Sequence, residues 1–387
     1  MSGAGRPVNG SDTDVLVIGG GITGLLTAWY LAREGAAVLL LEADDLGSRA
    51  SGANAGSIHL QIQYPEFAAY GEQWARAYAP TLRLLLGSQR LWQRLPAELG
   101  EDLDIRLAGG LVVATTDEQM RLIEAKAKIE TAAGVETRIV GKAELRHIAP
   151  YLSDAAIGAG FCPGEGKANP LRALPAIARA AQQAGAVIMR ETPVTGIVAE
   201  RRGYRVTTPG RTFVARQVVN AAGAAAGQIA GLLGIPLDID RFPLQVTVTE
   251  PVAPLIPHLV YSAAGKLSLK QLANGGCVIG GGWPARVRAD GTLVADPRSL
   301  AGNMATAVAA VPALGQARAL RSWTAWVNGT QDWRPVIGEV AGHAGFYLAF
   351  CPWVGFTAAP MTARIVADLV LGRAPPMSLK GISVLAD

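Results

Sequence analysis

The chain has 387 residues and a net charge of only +4, with half of its residues apolar and 17% charged. That length is too great for one small core and suggests two or three units at roughly 150 residues each. The weak charge, with no clustered Lys/Arg tract, leaves no footprint for nucleic acid, and the scattered Cys162, Cys277 and Cys351 argue against a disulfide framework, a zinc site or an iron–sulfur site.

The polar, Gly-rich start, residues 1–12, lacks a basic-then-apolar signal pattern, so a cytoplasmic location is expected. Val15 to Ile18 reads as a buried parallel strand, Thr23 to Glu34 as a helix, and Ala37 to Leu41 as a second buried strand ending at Glu42. A glycine turn, Arg33 and Glu34 interrupt this most apolar stretch, so no transmembrane segment is expected. Helical periodicity follows over Glu66 to Leu95, then a strand pair over Asp104 to Ala114, and helices over Asp117 to Ala133 and Pro170 to Gly185. Short strands are predicted at Val187–Arg190, Val194–Glu200, Tyr204–Thr208, Thr212–Ala215 and Gln217–Val219, set apart by turn signals such as Arg202-Gly203 and Pro209-Gly210. Strands then dominate (Gln245–Thr249, Leu267–Gln271, Cys277–Gly280), before a helix near Ser299–Val308 and a strand near Ser322–Val327. A strand at Phe346–Phe350 and a helix from about Ala358 to Leu371 end the chain. There is no internal repeat and no linker, and nucleotide-type segments at both ends and in the middle imply two interleaved domains.

The loop Gly19-Gly20-Gly21-Ile22-Thr23-Gly24 lies between the first strand and the helix, and Glu42 ends the next strand. A GxGxxG run alone is weak, but this context is complete for a Rossmann-like dinucleotide fold. Gly19 allows a tight turn, Gly21 lets a diphosphate approach the backbone, and Gly24 lets the helix pack on the strand. The helix N-terminus holds phosphates, and Glu42 can accept from ribose hydroxyls. The competing reading is a tight glycine turn without a ligand. The small residues Ser48 to Gly56 suit a flavin, and Val218-Val219-Asn220-Ala221-Ala222-Gly223 is a strand with a small-residue turn. Each could be an ordinary small-residue turn; together with the first loop they favour FAD over NAD. No second fingerprint exists, because Trp283-Pro284 after Gly280-Gly281-Gly282 stops a helix from opening.

With these segments the sequence resembles the D-amino-acid oxidase superfamily, in its glycine and sarcosine oxidase branch. The likeness runs through Ser51 to Gly56, Glu165-Gly166-Lys167-Ala168-Asn169-Pro170, Asn220 to Gly223, Gly329-Thr330-Gln331-Asp332, Pro335-Val336-Ile337-Gly338 and Gly355-Phe356-Thr357-Ala358-Ala359-Pro360. Ala55-Gly56-Ser57-Ile58-His59 and Cys351 are most similar to the flavin subunits of opine oxidases, hydrogen cyanide synthase and hydroxyproline dehydrogenases. The resemblance implies an α/β fold, with a Rossmann-like FAD-binding domain (12–60, 150–235 and 325–387) interleaved with a mixed β-sheet substrate domain (61–149 and 236–324). It implies oxidation of the C–N bond of an amino acid, imino acid or opine-like secondary amine by hydride transfer to flavin N5, with non-covalent FAD. Its site would comprise Gly19, Gly21, Ile22, Thr23, Gly24, Glu42, Ala43, Ser51, Asn54, Ala55, Gly56, Val194, Ala222, Gly223, Gly338, Gly355, Phe356 and Thr357. Thr357 is expected to cap a helix whose first turn tolerates Pro360.

Two family arginines that grip a substrate carboxylate are missing, with Val327-Asn328 and Trp353 in their places. Lys270 or Arg286 would have to substitute, or the substrate is not a simple amino acid. Trp323, Trp326, Trp333 and Trp353 either line a pocket for a larger amine or pack the core. His59, read on a strand with Gln61 and Gln63, points to the ring or substrate, or is a polar residue on an alternating strand. His147 and His343 read as surface residues, and His258 has no visible partner. The expected enzyme passes electrons to partner chains; the alternatives are an O2-using oxidase that releases peroxide and a non-catalytic, flavin-binding assembly component. No metal is expected.

Overall fold

Parallel pairing explains the uninterrupted apolar runs near the N-terminus, since both faces of such strands are covered. The computed structural model, which describes residues 12–382, opens with β1 (Asp12–Ile18), α1 (Ile22–Arg33) and β2 (Val38–Leu41). Then come α2 (Ala50–Ala53), β3 (Ser57–Ile58), α3 (Tyr64–Leu99), β4 (Gly110–Ala114), α4 (Asp117–Ala132), β5 (Arg138–Gly141) and α5 (Lys142–Ile148). β6 (Gly158–Cys162), β7 (Gly166–Lys167), α6 (Pro170–Gln183), β8 (Val187–Met189), β9 (Gly196–Glu200), β10 (Gly203–Thr208), β11 (Arg211–Asn220) and α7 (Ala226–Gly231) lead to the second half. There β12 (Asp240–Pro251), β13 (Leu259–Ser262), β14 (Ser268–Gln271), β15 (Gly276–Gly280), β16 (Arg286–Val287) and β17 (Leu293–Val294) precede α8 (Pro297–Ala310). β18 (Ala319–Gly329), β19 (Val336–Glu339), β20 (Phe346–Phe350) and α9 (Gly355–Val370) complete it.

The first sheet runs β19-β20-β11-β1-β2-β8, with β10 and β9 branching from β11. β1 lies parallel to both β2 and β11, and Ile18 pairs with Leu41 and Asn220. That register brings the glycine loop and the small-residue turn after β11 to one sheet end, where ligands of open α/β sheets bind. α1 packs against α6 and α9 on one face. Buried Leu25, Leu26, Leu31, Ile177, Ile365 and Val366 fill that layer.

The second sheet runs β18-β12-β15-β14-β13-β4-β6-β5 and is antiparallel except where β13 lies parallel to β4. Leu111, Val260, Leu269, Cys277 and Ile279 form its core. Helix signals act locally as chemistry dictates. Asn169 caps α6 by accepting from the Leu171 N–H, and Asp296 caps α8 by accepting from that of Arg298. α3 bends at Gly71, whose φ of 74° no other residue adopts cheaply.

Several expectations need correction. Only Gly110–Ala114 of the 104–114 stretch is a strand, because the preceding residues make a single bridge, Arg106 to Lys167. The two strands read between Thr212 and Val219 are one, β11. β5, β6 and β13 were not visible as strands. β6 (Gly-Ala-Gly-Phe-Cys) has low strand propensity, and neighbours set its conformation; a Cβ at Gly158 would lie 2.8 Å from the Val140 carbonyl oxygen. β6 pairs with β4 and β5, so the second sheet reaches past residue 150, and residue 325 falls inside β18. Among the described residues no helix is long and apolar enough to cross a membrane.

Candidate active site

The glycine loop is held by backbone contacts that exclude side chains. Gly19 has φ 110°, and a Cβ there would lie 2.6 Å from the Ala221 carbonyl oxygen. A Cβ on Gly24 would lie 2.0 Å from the Gly19 carbonyl oxygen. Gly19 therefore does more than turn the chain, since it also lets the loop after β11 close against it. Glu42 accepts from the Gly20 N–H at 2.6 Å and from the Asp44 N–H at 2.9 Å, tying the loop to the end of β2. The Ile22 N–H is taken by the Ser51 hydroxyl at 3.1 Å. The remaining first-turn N–H groups of α1 have no intrahelical acceptor and suit a phosphate.

This loop opens on a cavity of about 700 Å³ lined from both sheets, within the ~300–1,000 Å³ of small-molecule sites. Of the residues singled out in the sequence, Gly19, Gly21, Ile22, Thr23, Glu42, Ala43, Ser51, Asn54, Ala55, Val194, Ala222, Gly223, Gly355 and Phe356 line it, with His59 and Trp353. Gly24, Gly56, Gly338 and Thr357 do not. Gly24 and Gly56 shape the backbone behind the wall: Gly56 has φ 81°, and a Cβ there would lie 2.1 Å from the Ala168 carbonyl oxygen. Gly338 sits in β19, opposite Leu348. An extended dinucleotide fits this arrangement, with a bare backbone and a helix N-terminus on one side and a chamber lined by side chains of the second sheet on the other.

The capping role expected of Thr357 is wrong. α9 starts at Gly355 with Val354 before it, so Pro360 lies in the second turn. The Thr357 hydroxyl instead donates to the Ser57 carbonyl at 3.1 Å and accepts from the His59 N–H at 3.0 Å. It clamps the chain after the small-residue loop onto the C-terminal helix. His59 lies just beyond β3 rather than on a strand with Gln61 and Gln63. Its Nδ1 is 2.5 Å from the Tyr261 hydroxyl. Burial, reinforced by Lys270, lowers its pKa from 6.5 to about 3, so the imidazole is neutral.

Behind this pair lies a buried ionic network that the sequence did not reveal. Glu165 accepts from the Leu60 and Gln61 N–H groups at 2.6 and 2.8 Å and from the Gln61 amide at 3.0 Å. Glu130 accepts from the Ile62 N–H at 2.7 Å and from Lys126 at 2.6 Å, and Lys126 also donates to Gln61. Three successive N–H groups thus end on two carboxylates, which fixes the segment that carries His59. Burial pushes the Glu165 pKa up, against those hydrogen bonds and Lys126. A Lys/Glu pair four residues apart is ordinary on a helix surface; only the fold shows that this one is fully buried.

Lys270 is fully buried and donates to the Ser57 hydroxyl, but it is not among the residues lining the cavity, and burial lowers its pKa from 10.5 to about 7. Arg286 is exposed on β16 and also lies outside the lining. All four tryptophans weighed in the sequence line the cavity. Trp333 and Trp353 stack with ring centroids 4.8 Å apart, both with left-handed backbones (φ 63° and 59°), a strain of order 1–3 kcal/mol each. Phe242 meets Trp353 at 4.4 Å. The exposed Arg241 stacks over Trp326 at 4.7 Å and also lines the cavity, a cation that sequence reading passed over. His258, expected to lack a partner, faces the Tyr151 hydroxyl at 2.7 Å.

Comparison with known proteins agrees with this geometry. The family model DAO, described as FAD dependent oxidoreductase, matches residues 14–369. The chain is 28% identical over 370 residues to one of the subunits of opine oxidase from Rhizobium meliloti, covering 93% of each protein. It is 29% identical to glycine oxidase of Geobacillus kaustophilus over 370 residues, covering 92% of each. The L-proline dehydrogenase structure from P. horikoshii superposes with a TM-score of 0.84 at 27% identity, covering 96% of each chain.

Proposed function

The chain belongs to the DAO family of FAD-dependent oxidoreductases, and its relatives include oxidases and dehydrogenases of amino acids and amines; we propose that it abstracts hydride from the carbon bearing a neutral amine and delivers the electrons to an acceptor other than NAD(P). Bound FAD supplies the hydride acceptor. The residues of the chain hold and surround it. The α1 N-terminus, Gly19 and Gly21 receive the diphosphate, and Glu42 braces the loop from behind. Gly355 and Phe356 bring the first turn of α9 to the cavity, where its partial positive charge suits negative charge developing on a reduced flavin.

The observation that carries the chemistry is the neutral His59, fixed by Thr357 and Tyr261 at the wall of the cavity that the glycine loop opens on. A neutral imidazole offers a hydrogen bond without adding positive charge beside an amine that is losing hydride. The C–H bond breaks with both electrons leaving, and the nitrogen lone pair forms C=N. Water then hydrolyses the imine to a carbonyl compound and a free amine or ammonia.

The acceptor reading rests on the second glycine run. Gly281 and Gly282 both have left-handed φ, but Trp283 folds back to donate to the Lys266 carbonyl, and no helix opens. That supports electrons leaving to a partner and not arriving from a nicotinamide. The opine oxidase relative carries, in its name, the description of one chain of a multi-chain enzyme, which supports partner chains here too. Anaerobic mixing with primary, secondary and N-methyl amines and amino acids should bleach the flavin absorbance, whereas NADPH should not. Turnover that requires an artificial dye supports the dehydrogenase; peroxide release at full rate without dye overturns it.

A further inference from the structure

Register sets which side chains of the second sheet meet the chamber. Leu244 lies opposite Ala325, and Val246 opposite Trp323, on one face of the β12–β18 pair, with Val327 beside them. Those five residues line the cavity and are all apolar. A substrate carboxylate laid against them would lose water and gain no partner from this face. The stacked Trp333 and Trp353 extend the wall. Electron-rich ring faces attract cations and not anions.

An acidic group elsewhere on the lining points the same way. Glu66, in the first turn of α3, lines the cavity, and among the described residues its carboxylate bonds to no group but its own backbone N–H. Burial pushes the Glu66 pKa up, while its N–H and Lys266 hold it down. Among the cations of the lining, Lys266 is exposed and reaches the Gly282 carbonyl at 3.5 Å, and Arg241 lies on the face of β12 opposite Leu244 and Val246, stacked over Trp326. The other carboxylates of the lining are engaged: Glu165 accepts three hydrogen bonds, Glu42 accepts from the Gly20 and Asp44 N–H groups, and Asp44 and Asp45 pair with Arg49 and Arg190.

We propose that the chamber selects an amine carrying a second, positively charged nitrogen and no carboxylate, with Glu66 as the specificity-determining residue that grips the distal cation between it and the tryptophan wall. The substrate class is then a secondary diamine, oxidised at one nitrogen and held by the other. This rests on the amine-oxidising reading above and narrows it.

Three substrates of matched length separate the two: N-methylcadaverine, N-methylpentylamine, and the same chain ending in a carboxylate. With dye as acceptor, kcat/KM should be highest for the diamine and lowest for the carboxylate. In Glu66→Gln the diamine-to-monoamine ratio of kcat/KM should fall about ten- to hundredfold, the worth of a hydrogen bond to a charged group. Flavin content and the melting curve check that this variant folds, and the wild-type ranking stands as a test without it. A carboxylate preferred over the diamine, or a ratio unmoved in Glu66→Gln, overturns the inference while amine oxidation stands. If none of the three, nor any amino acid, bleaches the flavin, both fall together.

Discussion

The two sheets meet one cavity with walls of different kinds. On the β1–α1 side the wall is backbone, and Gly19 and Gly24 face carbonyl oxygens at distances no Cβ tolerates. On the β12–β18 side the wall is made of side chains, and each of Leu244, Val246, Ala325 and Val327 could be exchanged for another apolar residue at modest cost. A cofactor site written in backbone geometry is rigid in its sequence demands. A substrate site written in apolar side chains is free to drift, and a change of substrate needs few substitutions.

The strongest way to break this contrast is at Gly24. Gly24→Val forces a branched side chain into the Gly19 carbonyl, 2.0 Å from where its Cβ would stand. The variant should purify without flavin and lose roughly 4 kcal/mol or more in denaturant unfolding. By contrast, Val246→Leu on the opposite wall should keep its flavin and lose less than about 1.5 kcal/mol. Equal losses from both would erase the distinction. Next in size is Lys126→Met, which strips the cation from a fully buried Glu130 whose second oxygen already lacks a partner. Urea unfolding should show a loss of about 3–5 kcal/mol, and the double variant Lys126→Met/Glu130→Gln should recover part of it.

How much of this could be read from the sequence follows the same division. β1, α1, β2 and Glu42 were legible because their residue types have no substitute there. Asn220 to Gly223 was legible as a small-residue turn after a strand, and the register of β1 with β11 sets it beside the glycine loop. His59 was legible as a candidate but not in its surroundings: Tyr261 is 202 residues away and Thr357 298 away. Glu165 sat inside a motif without showing that its carboxylate orders residues 60 and 61. Glu66 and Arg241 had no local pattern at all, since one lies in an ordinary first helical turn and the other at a strand end. Thr357 misled because a threonine before a helical run is usually a cap, whereas here the helix starts two residues earlier.

Lys270 offers a smaller, pH-resolved test. Its pKa falls from 10.5 to about 7 on folding, so between those values the unfolded chain binds more protons and stability rises with pH. Below pH 7 the fold carries the full cost of burying this amine. Lys270→Met should therefore be more stable than the parent by on the order of 3 kcal/mol at pH 6, with the gap closing as pH rises towards 10.5. A gap that stays constant with pH would mean that the amine is charged and paired in the fold.

The smallest effect is expected where the two walls join. Thr357 bonds the Ser57 carbonyl and the His59 N–H through one hydroxyl, so Thr357→Val removes both contacts with little change of volume. Global stability should fall by only about 1–3 kcal/mol, since one buried N–H and one C=O lose a partner. The consequence for the site should be larger than for the fold. His59 also holds Tyr261, so releasing its backbone loosens the polar end of the chamber while the glycine loop stays intact. Thr357→Val should keep its flavin yet lower kcat for its best amine about tenfold, roughly what a misplaced catalytic contact costs, and Thr357→Ser should restore it. Loss of flavin in Thr357→Val, with kcat per bound flavin unchanged, would place this hydroxyl on the cofactor side of the boundary instead.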